Sequence, residues 1–330
     1  MRRLTVDPAA PDPAAIAEAA LALRDGLLVA FPTETVYGLG AHGLDARAVE
    51  RIYEAKGRPA YNPVILHVPD ARAARMLASH WPEAAERLAT RYWPGPLTLV
   101  LRRADIVPAI ATAGLDAVGI RVPAHPVALA LLAAAQIPVA APSANRSTEL
   151  SPTSAEHVAR ALGDRVDVLL DGGDTTLGIE STVLDLSGER PVLLRPGLLT
   201  REELELVIGP IDLPAQQAEG DAPRRAPGQL ERHYAPRAEL AVVPAAELLE
   251  RVGRATDPLV GVLPRTVHVG PRDGLVVIRM PASPRLYAHR LYAALHELDE
   301  WGCRRVLVEA VPAEANWEGV RDRLARASHR

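Results

Sequence analysis

Five stretches of this chain set cations, hydroxyls and amides at spacings suited to holding an anion. In FPTETVYGLGAHG, residues 31–43, Thr33, Glu34, Thr35 and Tyr37 cluster just beyond a short apolar run. Ligands of α/β proteins bind at such strand ends, although an ordinary polar turn uses the same residue types. Gly38, Gly40 and Gly43 have GxGxxG spacing, but a dinucleotide loop needs them directly after a strand. Here the apolar run stops at Phe31, so the spacing reads as coincidence.

In AKGRPAYNPVILHV, residues 55–68, Lys56 and Arg58 flank Gly57, and Asn62 and His67 add neutral polar groups. An ammonium acts as a point charge and a guanidinium as a rigid fork, a pair suited to phosphate or carboxylate oxygens. Lys56 and Gly57 would also suit a helix C-terminus. Arg121 lies in the apolar strand pattern VGIRVPAHP, where an inward arginine needs an anionic partner, from the protein or a ligand. His125, ahead of Pro126, reads as a helix cap. In APSANRSTELSPTSAEHV, Ser143, Asn145 and Ser147 offer hydroxyls and an amide to an anion. Ser181 precedes one strand and Arg195 ends another, beside a Pro-Gly turn.

The inventory favours electrostatic positioning over covalent catalysis. The chain has no HExxH, no spaced Cys/His set and no GxxxxGK[ST] loop. A nucleotide would be held without a Walker motif.

The elements that must position these groups alternate. Helices are expected over 12–25, 46–56, one or two over 70–92, 126–135 and 154–162. Strands are expected over 27–31, 63–68, 97–101, 118–122, 139–140, 166–170, 182–186 and 192–194. The order predicts an α/β fold with a twisted, mixed parallel/antiparallel sheet. After about residue 210 the chain turns rich in Pro and Gly, then becomes periodic again from Glu239. Three segments follow: a catalytic domain over 1–208, a linker over 209–237, and a small C-terminal α/β (Rossmann-like) domain over 238–330. Its strands are expected over 240–243, 258–263, 275–278 and 305–309, and its helices over 285–301 and 319–327.

Bulk properties exclude more than they assign. A length of 330 residues makes two domains the default. With 37 basic and 41 acidic side chains the formal charge is −4, so no global basic field argues for nucleic acid, while a local patch for RNA contact stays open. Cys303 is the single cysteine, which removes intramolecular disulfides and cysteine metal clusters and suits a reducing, cytoplasmic setting. Neither a signal peptide over Met1 to Asp12 nor a membrane-spanning run is expected.

Taken in order, PTETVYGLG, KGRPxxNP, RxPxHP, APSANxS, SPT, GxESTV and LRPG resemble the YrdC-type family. HYAP at 233–236 and the periodic tail resemble its long, two-domain form, the L-threonylcarbamoyladenylate synthases. The resemblance implies a concave face that activates threonine with bicarbonate and ATP, in the presence of Mg2+, and releases pyrophosphate. It implies Thr33, His67, Arg121, Ala141 and Ser181 around threonine, and Lys56, Arg58, Asn62, Ser143, Asn145 and Arg195 around ATP. It makes Lys56 and Arg58 the charge-stabilising catalytic pair and implies that Tyr234 reaches back over the nucleotide. The product would feed N6-threonylcarbamoylation of adenosine 37 in tRNA by a separate transferase. One departure stands out: the family linker commonly reads SPGMKYxHYAP, and here Gln229, Leu230 and Glu231 replace the Met-Lys-Tyr part. A related carbamoyl-adenylate maturase would need attached cysteine-bearing modules that this chain lacks. A double-stranded RNA-binding module without catalysis is the remaining alternative.

Overall fold

A computed structural model describes residues 1–214 and 233–329. The strands are β1 (Arg2–Thr5), β2 (Val29–Pro32), β3 (Tyr37–His42), β4 (Ile65–His67), β5 (Leu97–Arg102), β6 (Ala117–Arg121), β7 (Val139–Ala140), β8 (Val168–Asp171), β9 (Thr182–Asp185), β10 (Val192–Arg195), β11 (Glu239–Val243), β12 (Val260–Leu263), β13 (Leu275–Val277) and β14 (Arg305–Glu309). The helices are α1 (Pro13–Arg24), α2 (Ala46–Lys56), α3 (Ala71–Arg75), α4 (Glu83–Tyr92), α5 (Pro126–Ala135), α6 (Ala155–Leu162), α7 (Arg201–Ile208), α8 (Ala245–Arg254), α9 (Pro284–Glu300) and α10 (Glu318–Ser328).

The first ten strands form one sheet in the order β1-β8-β2-β3-β7-β4-β6-β5-β9-β10. Pairing is mixed: β4 runs parallel to β6, and β5 antiparallel to β6. One face packs on α1 and α5 through Ala19, Leu23, Leu131 and Phe31. The other packs on α2 and α4 through Val49, Ile52, Leu88 and Leu99. The last four strands form a separate parallel sheet, β11-β14-β12-β13. The expected mixed sheet and smaller α/β unit are therefore both present.

Caps end the helices where their residues dictate. The Asp12 side chain accepts from the backbone of Ala14 and Ala15, and Asp45 from Arg47. His125 Nδ1 accepts from the Val127 N–H, the expected cap. Gly57 ends α2 in the left-handed region at φ 60°, with Lys56 as the last helical residue.

Three elements of the larger unit, and α8 in the smaller one, are additions to the expected set. β1 is a four-residue edge strand with two arginines and no alternation. α7 carries a capping box between Thr200 and Glu203 that is readable in the sequence. β3 is masked by its glycines. A Cβ on Gly40 would come within 2.9 Å of both Phe31 and Val139, so close sheet packing, not phosphate binding, explains that glycine. Gly38 and Gly40 thus belong to a strand, in keeping with the coincidental GxGxxG. Most of the expected linker, including Gln229, Leu230 and Glu231, lies outside the described residues.

Candidate active site

The register of the larger sheet collects the site at one end. His67 and Arg121 are register partners closing β4 and β6. Thr33 follows β2, Ala141 follows β7, Ser181 precedes β9 and Arg195 closes β10. These six residues, with Arg58, Ser143 and Tyr234, line a cavity of about 50 Å³. Nine of the twelve candidates therefore share one wall.

On one side the groups are mutually oriented. The Arg121 guanidinium lies 2.7 Å from the Glu34 carboxylate and donates to Thr35 Oγ1 at 3.0 Å. Thr35 Oγ1 lies 2.8 Å from Thr33 Oγ1, and the Thr33 hydroxyl donates to the Val36 carbonyl. Ser181 Oγ lies 2.8 Å from Thr98 Oγ1. His67 is buried, and its Nδ1 has no hydrogen-bond partner among the described residues. Burial, reinforced by the Arg121 cation, pushes its pKa down to about 3. His67 is thus a neutral imidazole at working pH, able to contact substrate without adding charge.

On the other side stand the cations. Arg58 Nε donates to the Asn62 carbonyl at 2.8 Å and Nη2 to the Pro63 carbonyl at 2.6 Å. These bonds fix its plane while it faces the cavity. Burial lowers its pKa to about 10, so it stays charged near neutrality. Arg195 donates from Nε and Nη2 to the Ser181 carbonyl at 3.1 and 2.9 Å, and from Nη1 to the Tyr234 hydroxyl at 3.4 Å. Tyr234 is 1 % exposed and holds φ 59°, an unusual value for an aromatic residue. Its hydroxyl reaches Arg195 because the fold brings residue 234 back to the sheet end.

Lys56, Asn62 and Asn145 are not in the cavity wall. Lys56 Nζ donates to the carbonyls of Ser143 (2.6 Å) and Asn145, and burial holds its pKa well below the ordinary value. Asn145 Nδ2 donates to the carbonyls of Arg146 and Glu149, at 2.9 and 2.8 Å. Both side chains therefore brace the 143–149 loop that presents Ser143. The Asn62 amide is buried without a hydrogen-bond partner among the described residues. Glu180 and His233 were not singled out by sequence reasoning, yet both line the cavity. Their signal was adjacency, to Ser181 in GIESTV and to Tyr234 in HYAP.

A magnesium ion needs oxygen ligands. Among the described residues no group of three or more His, Cys, Asp or Glu is gathered. The carboxylates of Glu34 and Glu180 are each held by an arginine. These residues do not fit a protein-held magnesium ion. Among the described residues no helix is long and apolar enough to cross a membrane.

Residues 21–197 match the family model Sua5/YciO/YrdC, described as "Telomere recombination". Residues 199–329 match the model described as "Threonylcarbamoyl-AMP synthase, C-terminal domain". The threonylcarbamoyl-AMP synthase of Pyrococcus abyssi is 45 % identical over 313 residues, covering 93 % of this chain and 92 % of that protein. The Bacillus subtilis enzyme of the same name is 42 % identical over 322 residues, covering 95 % and 92 %. The solved structure of P. abyssi Sua5 complexed with L-threonine superposes with a TM-score of 0.90 at 42 % identity, covering 99 % of this chain and 98 % of that one. Both units of the chain are matched, and the chain belongs to the threonylcarbamoyl-AMP synthase family.

Proposed function

We propose that this protein makes L-threonylcarbamoyladenylate and pyrophosphate from L-threonine, bicarbonate or CO2, and ATP. The observation that carries the reading is the convergence of Arg58, Arg121, Arg195, His67 and Ser181 on one buried cavity. Threonine is assigned to the side built by Thr33, His67, Arg121, Ala141 and Ser181. Arg121 is the cation for its carboxylate, and the hydroxyls and neutral His67 take its polar groups. The nucleotide is assigned to Arg58, Ser143, Arg195 and Tyr234, with Lys56, Asn62 and Asn145 supporting from behind the wall.

The neutral threonine amine adds to CO2, forming the N–C bond and giving up one proton to solvent, which yields the N-carboxylate of threonine. One oxygen of the new carboxylate attacks the α-phosphorus, and the bond from that phosphorus to the bridging oxygen breaks to release pyrophosphate. Arg58 and Arg195 face the charge that develops on the transferring oxygens. In the attack on phosphorus the carboxylate has no proton to lose, and the proton from the amine leaves to solvent in the earlier step, so no protein general base is assigned. Magnesium, if it accompanies ATP, is held by the phosphates, and no step is routed through it. The product then passes to a separate tRNA-modifying transferase in a cytoplasmic setting. The division into catalytic unit, linker and C-terminal unit at 208 and 237 belongs to the same proposal. A module that only binds RNA is not favoured, because the convergent arginines are buried rather than spread over a surface.

The cavity of about 50 Å³ is smaller than the roughly 300 Å³ at which small-molecule sites begin. ATP entry therefore requires the cavity to widen. The test is pyrophosphate release with threonine and bicarbonate omitted in turn. Release should need both, and full release without threonine would refute the substrate assignment.

A further inference from the structure

Glu180 stands in the cavity wall one residue before Ser181, and both its oxygens are committed. Ser151 Oγ donates to Oε1. Oε2 accepts from Arg323 Nε at 2.7 Å and from the Tyr292 hydroxyl at 3.1 Å. Arg323 and Tyr292 belong to α10 and α9, the helices packed with the second sheet, and neither has a place in the site described above. Arg323 is the largest fully buried side chain among the described residues, 1 % exposed.

Its guanidinium reaches two residues of the wall and the turn beside it at once. Nη2 donates to the Glu180 carbonyl at 3.3 Å, Nη1 donates to the Pro196 carbonyl at 3.0 Å, and Cζ lies 5.0 Å from the centre of the Tyr234 ring. One side chain thus grips the loop ahead of β9, the turn after β10 and the tyrosine whose hydroxyl meets Arg195. The helices come close enough because the contact points lack side chains. A Cβ on Gly319 would lie 2.5 Å from the Gly197 carbonyl oxygen, and one on Gly178 2.5 Å from His289 Cα.

The charges explain why a grip is needed here. Glu180 is a carboxylate in the wall of a cavity that the proposed function fills with polyphosphate. Burial alone would push its carboxyl up, but the Arg323 and Arg195 guanidiniums outweigh this and hold it below its usual range. Glu180 is therefore ionised, and without Arg323 its charge would oppose the nucleotide and its loop would lose its tether.

We propose that Arg323, assisted by Tyr292, is a positioning residue for nucleotide binding: it offsets the Glu180 charge and fixes the segments carrying Ser181, Arg195 and Tyr234. The helices of the second sheet thereby set the nucleotide affinity of a cavity built on the first. This rests on the function proposed above.

The test uses the full chain, with ATP titrated in the pyrophosphate-release assay and ATP binding followed in parallel by calorimetry. Arg323→Met should raise the KM and Kd for ATP by roughly 10-fold or more while changing kcat by less than about 3-fold. Arg323→Lys should recover part of the affinity. Arg323→Met should weaken ATP several-fold less in a Glu180→Gln background than in wild type, because the offending charge is gone and only the tethers to Pro196 and Tyr234 are lost. A residue that merely stabilised the fold would reduce the amount of active protein, leave KM unchanged and show no such coupling. Unchanged ATP affinity in Arg323→Met, or equal losses in the two backgrounds, overturns the proposal. If Arg323→Met does not fold, Tyr292→Phe removes only one hydroxyl and should still weaken ATP by about 3-fold, and unchanged affinity there is equally decisive. Wild-type protein that releases no threonine-dependent pyrophosphate counts against the function, while the calorimetric comparison still decides the role of Arg323.

Discussion

Arg121 and Glu34 form a buried ion pair at the cavity wall, 2.7 Å apart, and Oε2 of Glu34 has no hydrogen-bond partner among the described residues. The arginine that would meet a substrate carboxylate is thus already oriented by one carboxylate of its own. Removing one member of such a pair strands the other. Arg121→Met should raise the KM for threonine by about 30-fold or more and destabilise the fold by about 3–5 kcal/mol. Arg121→Met/Glu34→Leu should regain most of the stability but not the threonine affinity. Urea unfolding and threonine titration separate the two effects.

Arg58 combines a fixed plane with an open face. Arg58→Ala should lower kcat/KM for ATP on the order of 100-fold, the scale of losing one preorganised charge. Its bonds to Asn62 and Pro63 also vanish, so a small loss in melting temperature is expected. A near-normal rate in pyrophosphate release would remove Arg58 from the site.

Lys56 acts through the loop it holds. Lys56→Met deletes the donor shared by the carbonyls of Ser143 and Asn145 and should raise the KM for ATP more than it lowers kcat. Because the two carbonyls converge on a single ammonium, Lys56→Arg should rescue poorly. Steady-state kinetics of both variants check this, and a loss confined to kcat would instead place Lys56 at the reacting phosphate.

Gly40 tests the packing of the strand hidden by glycines. Gly40→Ala puts a methyl within 2.9 Å of Phe31 and Val139 and should cost about 1–3 kcal/mol in chemical denaturation. An unchanged midpoint would show that the sheet relaxes there.

His157 and His296 stack with ring centroids 3.8 Å apart, one on α6 and one on α9. Burial comes first in lowering their pKa values, to about 3 and about 4, with Arg160 nearby disfavouring a second positive charge on both. The folded values lie below the ordinary value near 6.5, so the unfolded chain takes up protons first. The stability they contribute is complete above about pH 6.5 and is lost as pH falls toward 3–4. At pH 5 the loss should be on the order of 1–2 kcal/mol per histidine. His157→Phe/His296→Phe should flatten the fall in melting temperature between pH 7 and pH 5.

Much of this protein is legible along the chain. α2, α5, β7 and β14 occur over the residues that periodicity and capping give them, because their signals are local: an apolar stripe, a capping aspartate or histidine, a glycine after the last turn. Proximity along the chain likewise flags Thr33, Ser143 and Ser181 as polar groups beside strand ends and Arg58 as a cation just past a helix end. β3 escapes because a strand wedged against Phe31 and Val139 has to be written in glycine, which carries no hydrophobic pattern.

Other features depend on distance. Lys56 and Arg58 stand two residues apart, yet the ammonium turns to the distant carbonyls of Ser143 and Asn145, while the guanidinium, held by the nearby Asn62 and Pro63 carbonyls, faces the cavity. Glu34 finds Arg121, and Glu180 finds Arg323, across separations that no spacing rule spans. The sequence by itself determined which residue types would do the chemistry and the order in which they come, because those are properties of composition and local pattern. Only the tertiary structure decided which of them share a cavity and which brace it, because a buried charge takes its role from the partner that the fold brings to it.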